Sequence, residues 1–375
     1  MSKHIVLLGI GHTNAHVVRM WRKSPIANAD LTCITDHDTA TYSGRLPAVL
    51  AGQIPETEMQ IDLPCICRSV GAKLINDRVK RLDLNTREIL FDQRPAVPFD
   101  ALSIGIGSIP SHSGVQISGD RLLRIKPMQT FLCRLRKVVE RLRRARDTRR
   151  PLRVVVVGSG VAGIEILFCL RNFLESHYRA AFDMQMVTRS KQILPTVGAA
   201  MRTKVLAAIA RRGYELVTDA DVTRVSNESL TLADGREVPS DLVVWATGAS
   251  VPPAVRQFGL PTDERGFIAT DRTLQSTAGN NVFSVGDTGS IISDPTPKAG
   301  VYAVRQGPIL WQNLQNAIMD RPLVDYRPQR SFLKIINTGD GRAIGEWKGI
   351  AFSGRWVMRL KERIDGRFID QFRIH

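Results

Sequence analysis

Apolar positions along the chain fall into a repeating pattern. Ile5–Leu8 is continuously apolar and runs straight into a glycine turn, followed by a helical stretch from about Asn14 to Arg22. A second run, "ADLTCITD", ends on Asp36. A strand with no polar alternation is buried on both faces, as in a parallel sheet covered by helices, so this reads as a strand–helix–strand unit. Pro151 restarts the pattern: strand Arg153–Val157, glycine turn, helix Gly163–Leu174, strand Met184–Thr188. Between the two units, "VKRLDLNTREILFD" predicts a hairpin turning at Asn85-Thr86, and Asp100–Pro110 is an apolar strand running into small residues. Thr130–Arg146 predicts a helix with Phe131, Leu132, Leu135, Val138, Val139 and Leu142 on one stripe. Short strands from Val222 to Val244 turn at Asp234-Gly235 and close on "LVVWATG" (Leu242–Gly248). "NVFSVGD" (Asn281–Asp287) is a late strand ending on an acid, and Phe332–His375 reads as two strand-like runs and a basic helical tail.

The turns carry the candidate chemistry. The first is Gly9-x-Gly11-x-x-Asn14 and the second Gly158-x-Gly160-x-x-Gly163. In such a turn the first glycine permits the bend. The second lets backbone approach a pyrophosphate, whose charge rests on the helix N-terminus. Each copy follows an apolar strand and opens a helix, the context that makes the motif specific. Asn14 in place of a third glycine implies looser packing of the first helix on its strand. Asp36 sits where a carboxylate accepts bonds from ribose hydroxyls. The second copy has Thr188, Arg189 and Ser190 there instead. Arg189 is open to two readings: partner of a 2′-phosphate, which favours NADPH over NADH, or a solvated surface arginine.

Composition narrows the rest. At 375 residues, 43% hydrophobic and 23% charged, the chain is of ordinary globular type with room for two to three domains. Its formal net charge of +16 fits nucleic acid, an anionic membrane or anionic small ligands. The run Arg134–Arg153 holds ten basic residues against Glu140 and Asp147 with no interleaved aromatics. That pattern is a solvated helix face, and no nucleic acid is expected. Cys33, Cys65, Cys67, Cys133 and Cys169 form neither a disulfide framework nor a zinc site. His12 and His16 are one helical turn apart but lack a third ligand, so no metal is expected. No apolar run is long enough to span a bilayer, and no secretory pattern precedes the first strand. The chain reads as cytoplasmic or bound to a membrane face. In the tail, Trp356, Leu360, Ile364 and Phe368 repeat every four residues among arginines. That stripe suits anionic lipid, the flavin domain or a dimer mate.

The order of these motifs resembles the flavoproteins of the pyridine nucleotide-disulfide oxidoreductase superfamily. There the first turn is similar to the FAD ADP-binding motif and the second to the NAD(P)H motif, set within the FAD domain. "VVWATGA" is similar to the family's ATG segment, and "NVFSVGD" to its second FAD motif. The resemblance implies an α/β fold of two Rossmann-like domains plus a small C-terminal segment. The bounds it implies are 1–120 and 265–330 for FAD, 121–264 for NAD(P)H, and 331–375 for the C-terminal segment. FAD would be held by Gly9, Gly11, His12, Asn14, Asp36, Arg45, Pro47, Gly107, Gly286, Asp287, Lys298 and Ala299. NADH or NADPH would be held by Gly158, Gly160, Gly163, Arg189, Thr247 and Gly248.

Within the superfamily the chain lacks the redox cysteine pair of the disulfide reductases. Cys65-x-Cys67 reads better as a helix start, and Cys33 and Cys169 as core. What remains resembles type II NADH dehydrogenases and sulfide:quinone reductases. Glu165 matches a glutamate that lies near flavin and nicotinamide in those relatives; its alternatives are a solvated helix-face residue or a partner of Arg171. "TPKAGVYAVRQG" (Thr296–Gly307) resembles the segment beneath the flavin ring, where Lys298 and a helix N-terminus would stabilise reduced flavin. The type II enzymes carry AQxAxQ there, whereas this chain has Gly300 and, later, Gln306. A narrower resemblance, in Thr41–Gly52, "PKAGVYAVRQGP" and "GEWKGIAFSGRWVMRLKERIDGRF", is to the flavoprotein module fused in front of selenide, water dikinase. The expected reaction is ping-pong, hydride passing from nicotinamide to flavin and then to a quinone-like acceptor under Thr41–Pro47 and Pro297–Gln306. Glu165 and Lys298 would balance protons and charge. The alternatives are a flavin enzyme acting on selenium or sulfur species, or a flavin-holding partner of a selenophosphate-forming enzyme.

Overall fold

A computed structural model describes residues 2–112, 114–145, 150–178 and 180–374. Two five-stranded parallel sheets organise the chain, and they share one plan. The first runs Val282–Ser284, Ala101–Ile104, Lys3–Leu8, Ala29–Thr35, Lys73–Asn76. The second runs Leu122–Arg124, Leu242–Trp245, Leu152–Val157, Phe182–Val187, Glu215–Val217. In both, the strand feeding a glycine turn is central, its successor lies on one side and a much later strand on the other. Strand order reverses at that point, which opens a crevice beyond the carboxyl ends of the strands.

The continuous apolar runs are explained by burial on both faces. Ile5, Leu7 and Cys33 join one core while Val6, Leu8 and Ile34 join another. In the second sheet Val154 and Val156 face one core, and Val155 and Val157 the other. Each such side chain contributes about 1.5–3 kcal/mol by leaving water.

The helices are α1 (His12–Lys23), α2 (Leu46–Leu50), α3 (Leu63–Ser69), α4 (Met128–Arg144), α5 (Val161–His177), α6 (Ala199–Arg211), α7 (Gly300–Ile318) and α8 (Arg355–Asp370). α1 and α7 cross closely. Thr13 Oγ1 donates to Ala303 O at 2.7 Å, and a methyl on Gly307 would lie 2.8 Å from His16 Cβ. The hairpin at Asn85-Thr86 forms because Asp83 accepts both of those backbone N–H groups, at 3.0 and 3.1 Å. On α4, Phe131, Leu132, Leu135, Val139 and Leu142 are buried, and Arg143 and Arg144 pair with Glu140. Residues 146–149 of the basic run lie outside the described residues.

The C-terminal segment adds a strand to the sequence reading and divides the stripe of its helix. It has three antiparallel strands, Lys334–Asn337, Ala343–Trp347 and Ile350–Gly354, not two runs. Lys348 and Gly349 both adopt positive φ (47° and 83°), a tight turn that splits the second run. In α8 the stripe read from the sequence divides: Trp356 is 55% and Ile364 42% exposed, while the buried positions are Val357, Met358, Lys361, Asp365 and Ile369. A spacing of four drifts about 40° per step on a helix of 3.6 residues per turn. Phe368 has therefore rotated onto the protein side, where it stacks on Tyr42 at 4.4 Å between ring centroids. Gly366 belongs to this packing, since a methyl there would approach Arg45 Nη2 to 3.3 Å.

Candidate functional site

The first cradle lies at the carboxyl end of the first sheet. Leu8 is in register with Ile34 on one side and Ile104 on the other, so Gly9 leaves the sheet between two neighbours. Gly9 has φ +78°, and a methyl there would meet Gly105 O at 2.7 Å. α1 then opens at Gly11 with no side-chain cap and no acid in its first turn. An uncapped helix start of this kind has its positive end available to an anion. Asn14 does not loosen the turn as the sequence implied. It is fully buried, its Nδ2 donates to Gly9 O at 2.7 Å, and it accepts from Ser103 Oγ at 2.7 Å. Asn14 is thus a staple between helix and strands, and its amide is spent on protein. Asp36 follows the second strand, half-exposed, 3.5 Å from His37 and 3.4 Å from Arg78.

Asp287 lies in a polar knot that the sequence did not announce. Its Oδ2 accepts from Ser108 Oγ at 2.7 Å and from Lys126 Nζ at 2.9 Å. Burial pushes this carboxyl up, but Lys126 and Ser108 outweigh it and the net shift is down. Gly286 N donates to the buried Gln306 at 2.6 Å, and Gly107 N to Thr288 Oγ1 at 2.8 Å, which fixes both loops. Gly107 itself has φ +78° and open space where a side chain would stand. Lys298 donates to Gly289 O and lies over the Phe267 ring at 4.1 Å. Burial lowers its pKa to about 8. Ala299 is the N-cap of α7 and offers no side-chain bond. Arg45 donates to Glu58 at 2.7 Å, and Pro47 is buried at the start of α2.

The second cradle repeats the geometry at Val157, whose neighbours are Val187 and Trp245. Gly158 has φ +110° and a methyl there would meet Ala246 O at 2.5 Å. A methyl on Gly163 would lie 1.9 Å from Gly158 O, so helix and turn touch backbone to backbone. Gly160 has nothing within 4 Å, and α5 begins there without a side-chain cap. Ser159 donates to Thr188 Oγ1 at 2.9 Å, and Arg189 is exposed. Thr247 Oγ1 donates to Ser111 O at 2.6 Å, and Gly248 O accepts from Ser111 N at 2.7 Å.

Glu165 is neither solvated nor paired with Arg171, which bonds Glu175 at 2.8 Å. It is buried on α5, accepts from Asn337 N at 2.9 Å, and lies 3.8 Å from Lys361 Nζ. Lys361 also donates to Asp365 Oδ2 and Gly44 O, each at 3.0 Å, and Tyr42 OH donates to Asp365 Oδ1 at 2.9 Å. Burial raises the Glu165 pKa despite Lys361 and the Asn337 N–H. Burial works against the Lys361 charge, but Glu165 and Asp365 outweigh it and raise its pKa. Burial and the Asp365 charge raise the Tyr42 phenol. The buried chain Tyr42–Asp365–Lys361–Glu165 joins α8, α5 and the loop after residue 41. The cysteines stay apart from it with one exception: Cys169, one turn from Glu165, donates to Asn337 O at 3.7 Å. Cys33 and Cys67, read separately in the sequence, are both buried in the same core.

A family model described as pyridine nucleotide-disulphide oxidoreductase matches residues 3–307. The chain is 25% identical over 295 residues to demethylphylloquinone reductase NdbB of Synechocystis sp., covering 74% of this chain and 69% of that protein. It is 26% identical over 299 residues to ferroptosis suppressor protein 1 of Homo sapiens, covering 76% and 74%. In fold it is similar to the sulfide:quinone oxidoreductase from Aquifex aeolicus, with TM-score 0.81, 17% identity, and coverage of 99% and 92%.

Proposed function

The chain belongs to the pyridine nucleotide-disulphide oxidoreductase family, and from that premise we infer an FAD-dependent NAD(P)H dehydrogenase that passes electrons to a quinone-like acceptor without a redox disulfide. The observation that carries it is the pair of uncapped, glycine-opened helix starts at Gly11 and Gly160, one on each parallel sheet. Both fit a dinucleotide pyrophosphate, with open space at Gly107 and Gly160 for its approach. The demethylphylloquinone reductase among its relatives favours a quinone as acceptor.

On this reading residues 1–120 and 265–330 hold FAD and 121–264 hold the nicotinamide dinucleotide. FAD would supply a two-electron carrier that takes hydride from the nicotinamide. Gly9, Gly11 and the first turn of α1 bind its pyrophosphate and Asp36 its ribose. Asp287, oriented by Lys126 and Ser108, fixes the sugar–phosphate linkage. Lys298, held by Gly289 O and over the Phe267 ring, would supply positive charge that stabilises reduced flavin. Gly158, Gly160 and Gly163 seat the second dinucleotide, and Arg189 is free to meet a 2′-phosphate. Quinone reduction takes two electrons and two protons, whereas hydride brings two electrons and one proton. The second proton is held by Glu165 and its buried neighbours Lys361, Asp365 and Tyr42.

A lipid-soluble acceptor also accounts for the outward face of the C-terminal segment. Ile350 is 71% exposed and Trp347 43%, beside Trp356 and Ile364 and the cations Lys348, Arg355, Arg359 and Arg363. Among the described residues no helix is long and apolar enough to cross a membrane. We place residues 331–375 peripherally on an anionic, cytoplasmic membrane face; co-sedimentation with anionic but not neutral vesicles tests this. A concentration-dependent dimer that binds neither vesicle would assign the face to a second copy.

The deciding experiment is anaerobic stopped-flow at the oxidised-flavin band with NADH and NADPH separately. Bleaching at about 1–10³ s⁻¹, followed by recovery on adding a quinone, is the expected result. The faster donor assigns Arg189. The segments Thr41–Gly52 and Pro297–Pro308 favour a second reading, with a selenium or sulfur species as partner of the flavin or a binding role beside a selenophosphate-forming enzyme. Bleaching by sulfide or selenide but by neither nucleotide would move the function there.

A further inference from the structure

A groove of about 530 Å³ runs between α6 and the hairpin that joins the first two strands of the C-terminal sheet, a size that suits a small ligand. One wall is a single stripe of α6, Lys204, Ala207, Ala208 and Arg211, at the spacing that puts side chains on one helix face. The other wall carries Asp340 and Arg342. Lys204, Arg211 and Arg342 are exposed, and among the described residues none of the three side chains has a hydrogen-bond or ion-pair partner. Asp340, the one acid among the described lining residues, is already spent. It accepts from Thr338 Oγ1 at 2.6 Å, from Arg212 Nη2 at 2.9 Å and from Arg342 N at 3.3 Å. Arg212 stands behind it, its side chain 14% exposed, donating also to Thr338 O at 2.9 Å and Ala208 O at 3.2 Å, with its guanidinium over the Phe168 ring at 4.7 Å. The hairpin is thereby fastened to both α5 and α6. Its seat is tight: a methyl on Gly339 would lie 2.9 Å from Asn172 Oδ1 and from Phe168 O. These walls hold three like charges together with no anion between them, an arrangement that attracts negative charge.

We propose that this groove binds a compact, multiply charged phosphate ester. Three cations converging from two elements match two or more negative charges, and guanidinium forks pair with phosphate oxygens through two parallel hydrogen bonds. No aromatic ring is among the described lining residues, so a nucleobase would find nothing to stack on. None of the exposed large apolar side chains lines the groove either, which leaves an acyl chain without a surface. The ligand is therefore a small soluble phosphate and not a lipid headgroup. The groove is separate from both glycine turns, which follow Leu8 and Val157 at the carboxyl ends of the two sheets and contribute no residue to it.

The probe is inorganic pyrophosphate, titrated calorimetrically into FAD-loaded protein saturated with NAD⁺, so that both glycine turns are already filled. One saturable site is expected. Arg342→Gln and Arg211→Gln should each raise its Kd about tenfold, through the loss of a charge-assisted hydrogen bond. The triple variant that adds Lys204→Gln should abolish binding. Arg359→Gln, which removes an equally exposed arginine from α8, should leave the Kd unchanged. If the hairpin variant does not fold, Arg211→Gln on α6 carries the test alone. A wild-type protein that takes up no pyrophosphate, or a triple variant with the wild-type Kd, overturns the proposal. So does an Arg359→Gln loss as large as that of Arg211→Gln, which would assign the binding to the net charge of the chain. Co-sedimentation with phosphatidic acid vesicles that only the triple variant loses, with pyrophosphate left unbound by the wild type, would overturn the soluble ligand and put a lipid headgroup in the groove.

Discussion

The two glycine turns solve one geometric problem with different residues at the same position. In the second turn Gly163 sits so close to Gly158 O that a methyl would lie at 1.9 Å. In the first turn the corresponding residue is Asn14, and its amide reaches the corresponding carbonyl, Gly9 O, at 2.7 Å. One helix approaches its turn by omitting a side chain, the other holds its turn and the neighbouring strand through the hydrogen bonds of an amide. The same carbonyl is covered either way. The lesson is that the third position of the motif is a spacing choice, whereas the first glycine is fixed by its positive φ and by the carbonyl of the returning strand. The residue after the second glycine also differs: Val161 in one turn, His12 in the other.

The sharpest way to break the comparison is Gly163→Ala. A methyl forced against backbone costs about 3 kcal/mol or more, so the second sheet should melt about ten degrees early or fail to fold, as thermal denaturation would show. Next is acid. His12 has a folded pKa of about 4 against 6.5 unfolded. Between those values the unfolded chain binds more protons, so stability rises with pH there. It is intact above 6.5 and is lost as pH falls towards 4, by on the order of 3 kcal/mol. His16, lowered to about 4 chiefly by burial, with Arg19 and Lys23 adding to it, steepens the same limb. Denaturant titrations at several pH values should show this loss, and His12→Gln should flatten it; an unchanged slope would remove His12 from the account. Asn14→Ala should cost about 1–3 kcal/mol by stranding Gly9 O and Ser103 Oγ, with urea midpoints as the readout. Smallest in stability is Gly160→Ala, which meets no protein atom within 4 Å. Its melting temperature should match the wild type while its Kd for NADH rises, and an unchanged Kd would detach Gly160 from the nucleotide.

Both turns were legible in the sequence because strand, bend and helix start are consecutive residues, and continuous apolar runs announce two-sided burial. The two-sheet α/β plan followed from repeating that unit. Groups that meet only through the tertiary fold left no such trace. Lys126 reaches Asp287 across 161 positions and Tyr42 reaches Asp365 across 323, so nothing local marks Lys126, Lys361 or Asp365 as part of a site. The tail was legible only in part, for a different reason. A spacing of four drifts around a helix of 3.6 residues per turn, so the apolar stripe divides between solvent and protein, and Lys361 and Asp365 face in unannounced. Glu165 was legible as a position in a motif, but its buried cation lies in a helix outside the matched family region, which ends at residue 307.

The close crossing of α1 and α7 has one more consequence. With Gly307 seated against His16, the two helices start at the same place, Gly300 beside His12. Each start carries roughly half a positive elementary charge. Two such ends, neither capped by a side chain, make that corner of the molecule attractive to negative charge. An anion arriving there meets charge supplied by backbone alone, from two helices that begin hundreds of residues apart in the sequence.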